Sequence, residues 1–173
     1  MAADPTPSQT VGPFFSIGLL AAVDSELVAR DSPGAIAIAG RVLDGEGEPV
    51  PDAMVEIWQA DERGRYRPDF GWGRSGTDSD GRYSFVTCKP GRVPDDDGGL
   101  QAPHVSVLVF ARGLLKPVRT RMYFPDDPSN AEDRVLSSLP EADRSRLIAR
   151  PENGGLELDI RLQGDEQTTF FAV

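Results

Sequence analysis

Hydrophobic positions along this chain recur in short runs separated by Gly, Pro and Asp clusters, with a period of two more often than one near 3.6. That pattern predicts β-strands. Ile36 to Leu43 is apolar and is followed by the turn Asp44-Gly45-Glu46-Gly47-Glu48-Pro49. Met54 to Gln59 comes next, with Val55 and Ile57 on one face. Asp61-Glu62-Arg63-Gly64 and Thr77-Asp78-Ser79-Asp80-Gly81 are further turns, the second leading into the strand-like run Tyr83 to Cys88. The most apolar run follows Ala102-Pro103 and reaches Phe110. Proline sets the entry of this strand. Alternation puts His104, Ser106, Leu108 and Phe110 on one face and Val105, Val107 and Val109 on the other. Val118 to Phe124 is a strand with Arg119, Arg121 and Tyr123 on one face. Leu156 to Leu162 alternates cleanly, as a half-buried antiparallel strand does, and Thr168 to Val173 reads as a last apolar strand. The one well-marked helix is Pro140 to Arg150, with proline opening it, acids in its first turn and arginines in its last. A shorter helical segment is expected within Leu19 to Arg30. Several short strands at regular turn spacing predict an all-β, antiparallel sandwich or barrel.

The first residues fit neither period. Thr6-Pro7-Ser8-Gln9-Thr10-Val11-Gly12-Pro13-Phe14-Phe15 is proline-rich and held extended. Such an arm cannot bury itself, yet it ends in Phe14, Phe15 and Ile17, which points to docking on another chain. The chain therefore divides into an N-terminal arm with a short helical segment, residues 1–35, and a β-domain, residues 36–173.

Composition narrows the function classes. Against 18 basic residues stand 28 acidic ones, for a net charge of −10. That field repels phosphate backbones and anionic lipid, so neither nucleic acid nor membrane is an expected partner. A single cysteine, Cys88, rules out an intramolecular disulfide or a multi-cysteine metal site and is expected as a small buried hydrophobe. The first residues show no basic region followed by an apolar stretch, and no apolar run approaches the roughly 18 residues of a membrane span. A soluble, cytoplasmic protein is the expectation.

Candidate chemistry is sparse. Asp78-Ser79-Asp80-Gly81 lacks the remaining ligands of a calcium loop and reads as a tight turn. Asp95-Asp96-Asp97 reads as a solvated loop. Gly73-Arg74-Ser75-Gly76 is one residue short of a nucleophile elbow and lacks its strand–turn–helix setting. His104 is the only histidine, and a metal-chelating His-x-His pair is broken by Ser106. Tyr66 and His104 are the possible metal ligands and Arg121 is a possible anion binder. Pattern alone favours structural roles for all three.

Several stretches taken together resemble one family, the intradiol ring-cleaving dioxygenases. They are the arm Thr6 to Phe14, Gly40 to Gly45, Val55 to Asp61, Thr77 to Phe85, Lys89-Pro90-Gly91, Ala102-Pro103-His104-Val105, and Asp159 to Gly164 with Thr169-Phe170-Phe171. Their order and spacing cover nearly the whole chain and are similar to the α type of the two-chain, protocatechuate-cleaving members. The resemblance implies a β-sandwich with an extended arm and one or two short helices, and a mixed oligomer of α and β chains. It implies ferric iron held by two tyrosines and two histidines of the β chain. Protocatechuate chelates that iron, and O2 is inserted to give 3-carboxy-cis,cis-muconate. Carried onto this chain, Tyr66 and His104 occupy two ligand positions. Val93 and Ser106 occupy the other two, and Gln101 stands where the catalytic chain has an arginine. Valine cannot coordinate iron and a neutral hydroxyl is a poor ligand, so no iron is expected on this chain alone. The resemblance places Thr10, Gly12, Pro13 and Phe14 at the wall of the β-chain pocket and Arg121 near its iron. The alternatives are a scaffold β-sandwich with no catalytic contribution and a self-sufficient dioxygenase with a shifted ligand set. The lack of a second histidine counts against the last.

Overall fold

Residues 6–12 and 15–172 are described by the structure, a computed structural model. The arm's Pro13 and Phe14 lie outside the described residues. The apolar run near residue 36 forms β1 (Ala35–Leu43). Strands β2 (Met54–Trp58), β3 (Trp72–Gly76) and β4 (Arg82–Cys88) follow, then the two-residue β5 (Val93–Pro94) and β6 (Leu100–Gln101). The long pair β7 (His104–Phe110) and β8 (Val118–Tyr123) precedes β9 (Arg150–Glu152), β10 (Gly155–Glu157) and β11 (Ile160–Arg161). The helices are short: α1 (Phe15–Leu19), α2 (Arg134–Ser137) and α3 (Glu141–Ser145).

Nine of these strands make two facing sheets, as a β-sandwich requires, and β5 pairs with β6 apart from them. In one, β1 pairs antiparallel with β4 along one edge and with β10 and β11 along the other, and β9 closes on β10. In the second, β3, β2, β7 and β8 pair antiparallel in that order. The core lies between them. Val105, Val107 and Val109 of β7, with Val55 and Ile57 of β2, meet Ile38, Val42, Tyr83, Phe85 and Ile160 of the opposite sheet. Each side chain of this size taken fully from water contributes about 1.5–3 kcal/mol. The His104 face of β7 is thereby turned outward, away from the partner sheet.

Residues 156–162 depart from the expected antiparallel strand. They run parallel to β1 and break into β10 and β11 at Leu158-Asp159. Alternation is the same for either direction, so the pattern could not reveal this. The break has a local cause. The Leu158 carbonyl oxygen lies 1.9 Å from where a Cβ on Gly40 would be, so only glycine admits it. Tyr83 Oη donates to that carbonyl at 2.6 Å, and Asp159 Oδ1 accepts the Arg41 backbone N–H at 2.9 Å in place of a ladder carbonyl.

Three other expectations are shortened by strand pairing. The helix from Pro140 ends at Ser145, because Leu147 and Ala149 exchange backbone hydrogen bonds with Tyr123 at the end of β8. Within residues 19–30 only a 3-10 turn, Ala22–Ser25, forms alongside the end of α1, because Leu27 N–H bonds the Val86 carbonyl and draws the chain out against β4. Residues 168–172 make no strand. Phe171 forms one bridge to Arg119, and Thr168 caps the Arg161 backbone at 2.9 Å.

Candidate functional site

The outer face of the second sheet gathers most of the positions singled out from the sequence. On β7, His104 and Ser106 stand side by side, and on β8 their partners in register are Tyr123 and Arg121. Ser106 is also opposite Trp58 of β2, whose ring stacks parallel to Tyr66 at 6.0 Å. Val93 pairs with Gln101 between β5 and β6, and the Gln101 side chain reaches Arg121. Positions 66, 93, 104 and 106 thus fall along one neighbourhood.

Arg121 is its cationic centre. Alternation on β8 sends Thr120 and Met122 into the core and leaves Arg121 half-buried on the outer face. Its Nη1 donates to Gln101 Oε1 at 2.9 Å and to Tyr123 Oη at 3.1 Å. Gln101 in turn donates from Nε2 to the Pro94 carbonyl at 3.1 Å, so it ties β5 to β8. Tyr123 Oη donates to Asp133 Oδ1 at 3.3 Å. Asp133 is fully buried and its carboxylate accepts the backbone N–H groups of Ala102, Val135 and Leu136, the last two opening α2. The first neighbours of Arg121 are therefore neutral, and no carboxylate touches it among the described residues. It opens onto a cleft of about 320 Å³ that Asp95, Asp97 and Arg134 also line.

His104 is 5 % exposed. Its Nδ1 lies 2.9 Å from the Ala102 carbonyl, which can only accept, so Nδ1 carries the proton and Nε2 the lone pair. Burial, then the charge of Arg121, push its pKa down to about 4, and the ring is neutral at pH 7. Burial pushes the neighbouring Tyr123 hydroxyl up to about 12.

This donor set does not fit the iron centre that the resemblance describes. Val93 offers buried hydrocarbon, Ser106 a neutral hydroxyl, and Tyr66 is 48 % exposed against an indole. Among the described residues no three His, Cys, Asp or Glu side chains converge. One imidazole nitrogen cannot set the geometry or charge balance of such a site.

The remaining candidates lie apart. Thr10 Oγ1 accepts the Gly113 N–H at 2.8 Å, beyond the far end of β7 from His104. Gly12 is exposed enough that a Cβ there would meet nothing within 4 Å. Residues just after the arm pack on their own chain: Arg74 Nη1 donates to the Leu19 carbonyl at 2.7 Å. Asp78 Oδ1 accepts from Asp80 and Arg82 N–H, which makes a tight turn, and Asp95 does the same for Asp97 and Gly99. Ser75 lies in β3. Cys88 is buried, as expected. Sequence reasoning missed the Tyr123–Asp133 connection and the role of Gln101. Alternation did place Tyr123 beside Arg121, but nothing marks Asp133 ten residues later.

The fold defines a ring-cleaving-dioxygenase type of β-sandwich. The sequence model of the dioxygenase family matches residues 11–164. The chain belongs to that family, as an intradiol ring-cleavage dioxygenase subunit. It is 38% identical to the protocatechuate 3,4-dioxygenase alpha chain of Burkholderia cepacia, over 97% of each chain. It is 39% identical to the beta chain from the same organism, over 77% of this chain and 66% of that one. Among solved structures it is similar to the dioxygenase domain of a carbohydrate-binding fusion from Streptomyces sp. SirexAA-E, with TM-score 0.65, 27% identity, and 93% and 99% of the two chains covered.

Proposed function

We propose that this chain is the iron-free α subunit of a two-chain protocatechuate 3,4-dioxygenase, completing the active site of a β chain that carries the ferric iron. The reading rests on Arg121. It is a half-buried guanidinium with no carboxylate in hydrogen-bond contact among the described residues, on the sheet face where the resemblance puts the ligand positions filled by Val93 and Ser106. A cation so placed at the wall of a water-poor pocket stabilises negative charge that develops on substrate and oxygen during ring cleavage. The arm supports the same reading. Thr6 to Thr10 are exposed, and Ile17 keeps 76 % of its surface, an apolar display suited to burial against a partner. Thr10, Gly12, Pro13 and Phe14 then wall the partner's pocket, and the missing side chain of Gly12 lets backbone approach the ligand.

One observation favours a scaffold reading instead: the Arg121 guanidinium is held by Gln101 and Tyr123 of its own chain. Arg121→Ala in the co-expressed αβ complex separates the two. Loss of a transition-state cation lowers kcat about a hundredfold or more, with assembly by size-exclusion chromatography unchanged. A purely structural Arg121 leaves kcat as it was. The chain purified alone is expected to carry no stoichiometric iron and no activity. One ferric ion per chain with a tyrosinate charge-transfer band would refute the proposal.

A further inference from the structure

Four of the chain's 18 basic residues gather at one cleft of about 360 Å³ on the first sheet. Strand alternation begins the cluster. Ile38 and Val42 of β1 point into the core, so Arg41 and Leu43 face the other way, and Leu43 pairs in register with Arg161 of β11. The segment leaving α3 adds Arg146 and Arg150, and Glu157, Asp159 and Glu166 are the acids of the lining. The volume is at the small end of ligand sites, which run about 300–1,000 Å³. The cleft shares no lining residue with the one onto which Arg121 opens, and no aromatic ring lines it.

These arginines are incompletely paired. Elsewhere in the chain arginine forks close on their acids through two nitrogens. Arg65 reaches Asp61 at 3.1 and 2.9 Å, and Arg67 reaches Asp69 at 3.0 and 2.6 Å. In the cleft one nitrogen meets each acid, and at longer range. Arg41 and Arg150 share Asp159 Oδ2 at 3.3 and 3.4 Å, Arg150 meets Glu157 at 3.4 Å, and Arg146 meets Asp143 at 3.1 Å. Strong pairs of this type lie at about 2.7–2.9 Å. Arg161 is the least satisfied. It stands 3.6 Å from Glu166, outside hydrogen-bond distance, and its side chain makes no hydrogen bond among the described residues. Yet the Arg161 side chain is only 27 % exposed, against 79 % for Glu166. A partly desolvated guanidinium without an acceptor is costly, and a pair with so exposed an acid contributes little. Glu166 can turn out without undoing the fold. Its turn is closed by Gln167 N–H on the Gly164 carbonyl at 2.9 Å and fastened by Arg146 Nη2 on the Asp165 carbonyl at 2.8 Å. With Glu166 in place the four arginines face four acids, counting Asp143 behind Arg146, and the charges balance. With it turned out, one positive charge is left over, at Arg161.

We propose that this cleft binds a phosphate group, free or as the monoester of a small aliphatic compound. Arg161 is its main donor, Arg41 and Arg150 stand beside it, and Glu166 is the chain's own stand-in for the anion. Arginine forks match phosphate oxygens in paired hydrogen bonds. A tetrahedral phosphate accepts from several forks at different angles, whereas a planar carboxylate fills one. With no ring to stack on, the cleft selects by charge and shape. The acidic chain as a whole opposes any anion, so binding reports on this local cluster. The proposal does not depend on the role of Arg121.

The test is isothermal titration calorimetry of the full chain at pH 7 and low salt, with inorganic phosphate, glycerol 3-phosphate and acetate at matched ionic strength. Both phosphates are expected to saturate one site per chain at millimolar concentration or below, and acetate to give no saturable heat in that range. Tighter binding of the ester assigns the site to a phosphorylated compound, and tighter binding of inorganic phosphate assigns it to the free ion. Either result supports the proposal. Arg161→Gln should weaken phosphate binding about tenfold or more, the value of one charge-assisted contact. Glu166→Gln removes the competitor and should tighten binding about threefold. Arg30→Gln makes the same charge change as Arg161→Gln in an exposed pair elsewhere, with Glu26, and should leave affinity as it was. Far-UV circular dichroism checks that the variants fold. The proposal is overturned by absence of saturation or by acetate binding as tightly as phosphate. It is equally overturned by an Arg30→Gln loss matching that of Arg161→Gln, or by unchanged affinity in Glu166→Gln.

Discussion

His104 is buried and neutral, so acid should cost this chain stability through one identifiable group. The folded-state pKa is about 4, held down first by burial and then by Arg121, with Arg119 adding to the effect and the Ala102 carbonyl and Asp133 opposing it. In the unfolded chain the ordinary value of about 6.5 applies. Because the folded pKa is depressed, the unfolded state takes up the proton first as pH falls. The contribution of His104 is therefore complete above pH ~6.5 and is lost progressively between ~6.5 and ~4. From those two values, the loss between pH 7 and pH 5 is about 2 kcal/mol. His104→Phe isolates it. The phenyl ring keeps the packing against Tyr123, whose ring centre lies 5.6 Å away, but it cannot titrate. It also gives up the hydrogen bond to Ala102, so the variant should start about 1–2 kcal/mol less stable at pH 7. Urea unfolding of both proteins at the two pH values gives four free energies. The deficit of the variant should shrink by about 2 kcal/mol on going from pH 7 to pH 5. No other histidine is present to confuse the difference, and carboxylates common to both proteins cancel. A deficit that stays constant to within ~0.5 kcal/mol would show that His104 is not held neutral by its surroundings and would refute the reasoning.

Asp133→Ala should destabilise the chain by about 2–4 kcal/mol in urea unfolding, since it removes a helix cap and leaves the buried Ala102 N–H without its acceptor. Arg121 should then lose its fixed position, through Tyr123. Gly40→Ala should cost several kcal/mol or prevent folding, because the new Cβ would meet the Leu158 carbonyl. Gly12→Ala meets nothing within 4 Å among the described residues. Its stability should stay within ~0.5 kcal/mol of wild type, whereas turnover of the αβ complex should fall if the arm lines the partner's pocket. Unchanged turnover in that variant would count against the arm's assignment.

Strand existence was legible here because each sheet has one face in the core, and period-two patterning reports which one. The alternation of β7 marked Val105, Val107 and Val109 as core before any pairing was known. Pairing itself was less legible. Leu156 to Arg161 alternates whether its neighbour runs parallel or antiparallel, and the parallel choice depends on Gly40 and Asp159, more than 100 positions apart. Helix α3 was overestimated because capping and charge signals say where a helix begins, whereas tertiary bonds from Tyr123 decide where it ends. In the site, the reading of Val93 and Ser106 as ligand positions comes only from the family's motif order. Two features carried no sequence signal. Asp133 looks like any surface acid next to an arginine, and the lack of a side-chain partner for Arg119 among the described residues is a property of the row it occupies across the sheet.

The two faces of β7 explain how the chemistry of the outer face can vary while the fold is kept. Side chains of a strand alternate, so the valines that bind the sheets together and the outer-face positions His104 and Ser106 share a backbone but not an environment. A change at Ser106 on the outer face removes nothing from the core. The constraint falls instead on the groups that orient the outer face. Gln101 ties β5 to β8 and presents its oxygen to Arg121, and Asp133 holds Tyr123, which presents its own. A cation fixed in this way lowers the proton affinity of His104 and opposes any metal cation beside it by the same Coulomb term. The face is organised around a positive charge, and that organisation suits an anion, or the charge developing at a partner's metal, better than a metal of its own.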